Sequence, residues 1–117
     1  MLENVRTIEP YGDYFWEFYS SQAIAVQTKI DYVLQIVITE EKIPQKFFKH
    51  IGEGVFEIRI KSGNDIYRLF SFFDEGKLVI LLHGFAKKSQ KLPRRQIAKA
   101  NRLRRAYYES KKSKDNQ

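Results

Sequence analysis

The dipeptide Gly63–Asn64, set between the alternating segments VFEIRIKS and DIYRLFSFF, restricts the possible architecture of this chain more than any other feature. Both residues favour tight two-residue turns, and period-two alternation on either side marks a β-hairpin. A turn at Gly63–Asn64 fixes the register: Ser62 faces Asp65, Lys61 faces Ile66 and Arg59 faces Arg68. Directly opposed side chains have Cβ atoms about 4.5–5.5 Å apart, where like charges destabilise the pair unless something negative lies between them. A phosphate meets that need. Glu57 shares a strand face with Arg59 and lies diagonal to Arg68, which puts a potential proton acceptor beside the expected anion site. The plainer alternative is a set of salt bridges on a solvated sheet face with no further task.

The rest of the chain must supply one core. At 117 residues, 43% hydrophobic and 15% aromatic, it suffices for a single domain spanning 1–117. No cysteine is present, so disulfides and thiolate metal sites play no part, and nothing points to an oxidising compartment. The longest apolar runs, LVILL and VLQIVI, are far too short to span a bilayer, and the N-terminus carries no basic-then-apolar leader. A cytoplasmic protein without a membrane partner is expected. Charge is unevenly spread: residues 1–57 hold five Lys/Arg against nine Asp/Glu, whereas residues 58–117 hold sixteen against five. The basic half attracts polyanions such as nucleic acid, although composition alone also admits an anionic membrane or an acidic protein.

Periodicity gives an α+β fold. NVRTIEP, closed by Pro10, reads as a short first strand. Tyr14, Phe15, Phe18 and Tyr19, then Ile24, Ile30, Val33, Leu34 and Val37, recur at helical spacing as two helices or one bent helix. PQKFFKHIG reads as a helical turn ending at Gly52. From Val55 the period changes to two, giving an antiparallel meander at about 55–61, 66–73 and 77–83. Pro93 opens a closing helix whose apolar stripe is Ile97, Ala100, Leu103 and Tyr107. The expected architecture is a small antiparallel sheet, made of the first strand and the meander, packed against the N-terminal helices. The basic tail from 112 to 117 is expected to fray.

Further cations gather after the meander. LLHGFAKKSQKLP presents Lys87, Lys88 and Lys91 on a loop, where lysines neutralise phosphate as mobile point charges while arginines grip it as a fork. Arg94, Arg95, Lys99, Arg102 and Arg105 crowd one face of the closing helix, as contacts to an RNA backbone require and as many surface helices also show. His83 joins the arginines if Glu75–Gly76 forms a two-residue turn; a three-residue turn puts Leu82 opposite Arg68 instead. Tyr107 and Tyr108 fit base stacking, but their stripe spacing favours core packing. Two histidines without cysteines or a paired carboxylate at helical spacing argue against a metal centre, and no glycine-rich phosphate loop or dinucleotide fingerprint is present, so no cofactor is expected.

With GVFEIRI, DIYRLFSFF and LVILLHGFAKKSQKLPRRQIAKA in view, the chain resembles the RelE/ParE superfamily of bacterial toxins over nearly its whole length, and within it the phage-derived HigB-like group. The resemblance implies a RelE-like fold of microbial-ribonuclease type. It further implies the toxin of a type II toxin–antitoxin module, acting as a metal-independent mRNA endoribonuclease in the ribosomal A site. Glu57, Arg59, Arg68, Lys87 and Lys88 are then the catalytic set, with Arg68 on the scissile phosphate. His83, Lys91, Arg94, Arg95, Lys99 and Arg102 form the RNA-binding surface. The implied partners are translated mRNA, the ribosome and a cognate helix-turn-helix antitoxin (HigA-like). Ionised carboxylates are weak bases and lysines are seldom neutral near pH 7, which leaves the general base open. Other readings are a ParE-like inhibitor of DNA gyrase and a noncatalytic RNA-binding module.

Overall fold

A computed structural model describes residues 3–88, 91 and 93–115. The elements run β1 (Thr7–Pro10), α1 (Tyr14–Ser20), α2 (Ile24–Thr39), β2 (Phe48–Gly52), β3 (Val55–Ser62), β4 (Asp65–Phe73), β5 (Leu78–Ala86) and α3 (Arg94–Asp115). They make an α+β fold around one mixed sheet of five strands in the order β1-β5-β4-β3-β2.

Three expectations change. β1 lies parallel to β5, with Thr7 opposite Leu78 and Pro10 opposite Leu81, so the sheet is not purely antiparallel. PQKFFKHIG is a helical turn only at its start, where the amides of Phe47 and Phe48 bond back to Pro44 and Gln45; Phe48–Gly52 pairs antiparallel with β3, and Gly52, at φ +136°, ends this strand instead of capping a helix. Of the tail expected to fray, residues 112–115 are helical as the end of α3, and residues 116–117 lie outside the described residues. Lys111 in its last turns donates to the carboxylate of Asp74 at 2.8 Å, and Tyr107 does so at 2.6 Å, which ties the end of the helix to the β4–β5 connection.

Both faces of the sheet are covered. Ile58, Ile60, Leu69, Val79 and Leu81 pack under α1 and α2 against Phe15, Phe18, Ile30, Val33 and Val37. Val55, Phe70, Phe72, Ile80 and Leu82 pack on the other face under Ala100 and Leu103 of α3. Burial on both faces explains why the middle of β4 shows no polar alternation: even Ser71 is buried, its hydroxyl donating to the carbonyl of Phe56. Ile36, Val37 and Ile38 remain helical despite their β-branching, because Val37 is buried against the sheet. The end of α2 is held from outside: the amides of Val5 and Arg6 donate to Ile38, and the Arg6 guanidinium donates to the carbonyls of Val37, Glu40 and Glu41. A cation on unsatisfied terminal carbonyls also suits the helix dipole.

Candidate active site

The hairpin register is as expected: Arg59 faces Arg68 and Lys61 faces Ile66. Alternation puts Glu57, Arg59 and Arg68 on the α3 side of the sheet, just beyond Phe70, at the edge of the core that α3 covers. The patch is not an open, solvated face. Glu57 is 2% exposed and Arg68 9%, while the Arg59 side chain keeps 37%. The negative group between the arginines is Glu57 itself, with Oε1 2.6 Å from Arg68 Nε and Oε2 3.3 Å from Arg59 Nε. Neither Nε is aligned as a hydrogen-bond donor, so the pairing at these atoms is chiefly Coulombic. One carboxylate against two guanidinium groups leaves a net charge of +1 for an outside anion.

That surplus faces basic clefts. One, of about 510 Å³, is lined by Arg68, Phe85, Lys87, Lys88, Lys91 and Gln96. Pro93, which precedes α3, also borders it, as does Gln96 in the first turn of α3. Lys91, Arg94 and Arg95 continue into an adjoining cleft of about 540 Å³. On the other side, a 440 Å³ cleft lies between α2 and the hairpin, with Lys29, Lys46, Arg59, Lys61 and Lys87 around Tyr32 and Phe47. Lys87 thus borders both the Arg68 and the Arg59 clefts, its position fixed by its amide donating to Ile66 at 2.8 Å. Arg59 also reaches a further 440 Å³ cleft beside Lys46, Lys49 and His50.

His83 departs from both registers considered. The β4–β5 connection is Asp74–Lys77; Asp74 bonds to Leu78 across it, leaving a three-residue loop, Glu75–Lys77, and a bulge sets Leu82 and His83 against Phe70 alone. Phe85, not His83 or Leu82, therefore faces Arg68. The bulge turns His83 towards α3, where it is 4% exposed and its Nε2–H donates to Gln96 Oε1 at 3.0 Å. It holds a cleft-lining glutamine instead of meeting RNA on the surface. Burial above all, then the charges of Lys99 and Arg102, lowers its pKa to about 4, against the hydrogen bond to Gln96, so it is neutral at pH 7.

The expected RNA-binding residues divide. Lys91, Arg94 and Arg95 line clefts. Arg102 is exposed on α3, whereas the Lys99 ammonium lies 5.4 Å from the ring of Tyr14. Tyr107 and Tyr108 pack on Phe72, not on a free stacking surface. Burial first, then its bond to Asp74, pushes the Tyr107 phenol up to about 12. Lys29, Tyr32, Lys46, Lys49, Lys61 and Gln96 went unnoticed in the sequence. The only advance signal was the i, i+3 spacing of Lys29 and Tyr32 on the polar side of α2.

Among the described residues no helix is long and apolar enough to cross a membrane. No curated protein matches the chain significantly. The sequence model of the family described as Phage derived protein Gp49-like (DUF891) matches residues 17–105, which takes in Glu57, Arg59, Arg68 and Lys87. The chain therefore belongs to the phage-derived Gp49-like family.

Proposed function

We propose that this protein is the toxin of a type II toxin–antitoxin module and that it cleaves translated mRNA by attack of a ribose 2′-hydroxyl on the adjacent phosphate. The observation that carries the proposal is Arg68: a buried guanidinium, braced from behind by Glu57, bordering a cleft shared with Lys87, Lys88 and Lys91. The proposed reaction moves the 2′-hydroxyl proton to a base, forms the 2′-oxygen–phosphorus bond and expels the 5′-oxygen, which takes up a proton. Preorganised donors on the developing phosphorane charge are worth about 3 kcal/mol each, and a general base about two to four powers of ten. Arg68 and the lysines serve the first need. Glu57 borders none of the described clefts and has a guanidinium at each oxygen, so we assign it to positioning the arginines.

The RelE-like fold, the ribosomal A site as the place of cleavage and a helix-turn-helix antitoxin belong to the same proposal. The basic clefts suit an acidic antitoxin segment as well as RNA. A gyrase inhibitor of ParE type or a passive RNA-binding module requires the basic surface but not the Glu57–Arg59–Arg68 cluster. Brief induction followed by primer extension on cellular mRNA tests the choice. Ribosome-phased cuts, absent with Arg68→Ala, are expected. DNA breaks without such cuts, or cuts undiminished in a folded Arg68→Ala protein, refute the nuclease assignment.

A further inference from the structure

The cleft between α2 and the hairpin has a composition that the phosphate clamp does not require. Besides Lys87, four cations converge on it, Lys29, Lys46, Arg59 and Lys61; among the described residues no acidic side chain lines it, and Arg59 on its wall already shares Glu57 with Arg68. Cations crowded in this way repel one another unless an anion joins them. Tyr32, on its α2 wall, is 54% exposed although its ring is large and apolar. The ring is held in place: Phe47 meets it edge-on at 6.3 Å, and Lys29 Nζ stands 4.9 Å from its centroid. Lys46 in turn lies 5.0 Å from the ring of Phe47.

A fixed, exposed aromatic ring among cations is the recurring means of holding single-stranded nucleic acid: charges follow the backbone while the ring stacks on an unpaired base. A volume of 440 Å³ is within the range of small-ligand clefts, about 300–1,000 Å³, and suits a base with its phosphate. Lys87 borders this cleft and the Arg68 cleft alike, so one strand passes from one to the other without leaving the cationic surface.

We infer that the Tyr32 cleft is a nucleotide subsite, in which the base of a residue flanking the phosphate at Arg68 stacks on Tyr32 while Lys29, Lys46 and Lys61 neutralise its backbone. The inference rests on the nuclease reading for the identity of the strand, but its test is separate. The probe is a short 2′-O-methyl oligoribonucleotide, which 2′-hydroxyl attack cannot cleave, carrying 2-aminopurine at successive positions. With wild-type protein, stacking quenches the fluorophore at one position. Tyr32→Ala loses the quench and about tenfold in affinity, the scale of one base–aromatic contact, whereas Tyr32→Phe keeps both. Lys29→Ala and Lys61→Ala each flatten the salt dependence of binding by about one phosphate contact. In cleavage assays Tyr32→Ala raises KM and leaves kcat, because the ring does not touch the reacting phosphate. Equal affinity and equal quench for wild type and Tyr32→Ala, or no binding by the wild type, overturn the subsite. Loss of the nuclease reading shows differently, as uncut mRNA with the wild-type protein.

Discussion

Replacing Glu57 by glutamine tests whether the carboxylate is the brace that makes the arginine pair tolerable. The substitution keeps shape and one carbonyl oxygen but removes the charge, leaving Arg68, only 11% exposed along its side chain, beside Arg59 with nothing negative between them. Uncoupling a buried ion pair costs about 3–5 kcal/mol. The half-exposed Arg59 arm adds no more than about 1 kcal/mol because water screens it. At the low end of that range, for a pair whose Arg68 keeps some exposure, a loss of about 3 kcal/mol is expected. That is a large share of the roughly 5–15 kcal/mol that stabilises a domain, and it lowers Tm by about 10–15 °C. Urea titration with an unchanged m-value provides the assay. Removing both charges in Glu57→Leu/Arg68→Met leaves no buried ion unpaired, so stability returns to within about 1 kcal/mol of the parent although the phosphate clamp is gone. A Glu57→Gln protein within about 1 kcal/mol of wild type, or a double variant no more stable than the sum of its single losses, would refute the bracing role.

Other expectations follow from the same geometry. Arg68→Ala should abolish growth arrest and mRNA cleavage most completely, with Arg59→Ala and Lys87→Ala/Lys88→Ala next, as read by induction in cells and primer extension. His83 is held neutral, with a folded pKa of about 4 below its unfolded value of about 6.5; the unfolded chain therefore takes up the proton first, and stability falls as pH drops through that window. His83→Phe should remove about 2 kcal/mol of that acid loss in urea titrations at pH 4.5 and 7. Asp74 is held below its usual range: burial alone would raise it, but the hydrogen bonds from Lys111 and Tyr107 outweigh burial. Its contribution is present above the unfolded pKa of about 3.9 and disappears at lower pH; Asp74→Asn should release the end of α3, visible as faster amide exchange over residues 107–115. A Cβ at Gly84 would clash with the Phe18 ring, so Gly84→Ala should cost about 1–3 kcal/mol in thermal or urea unfolding.

What the sequence revealed was local. Gly63–Asn64 sets the β3–β4 register because a two-residue turn leaves no freedom in pairing, and the Arg59–Arg68 confrontation followed from it. Pro93 and the stripe of Ile97, Ala100 and Leu103 likewise made α3 readable. What stayed hidden depends on distant chain. β2 is a five-residue edge strand with exposed Lys49 and His50, and its adjacent Phe47 and Phe48 fit a helical turn as well as a strand until β3 supplies a ladder. The direction of β1 is set by β5, some seventy residues away in sequence. The bulge at Leu82–His83 leaves no mark in alternation, so the role of His83 under α3 was not legible. The Tyr32 cleft joins α2, the approach to β2 and the hairpin, which no single segment announces. Glu57 was placed on the right strand face, but its burial was not foreseen, because sequence pairing does not tell a buried carboxylate from an accessible one.

The parallel seam between β1 and β5 has a consequence for biosynthesis. Thr7–Pro10 cannot pair until Leu78–Leu81 has been made and has left the ribosomal tunnel, so β1 waits while some seventy further residues are added. Closing so long a loop is entropically expensive and slow compared with zipping the hairpin. Refolding should accordingly show the hairpin protected early and the amides of residues 7–10 last, so that a nascent chain holds a four-stranded sheet before the fifth strand joins it.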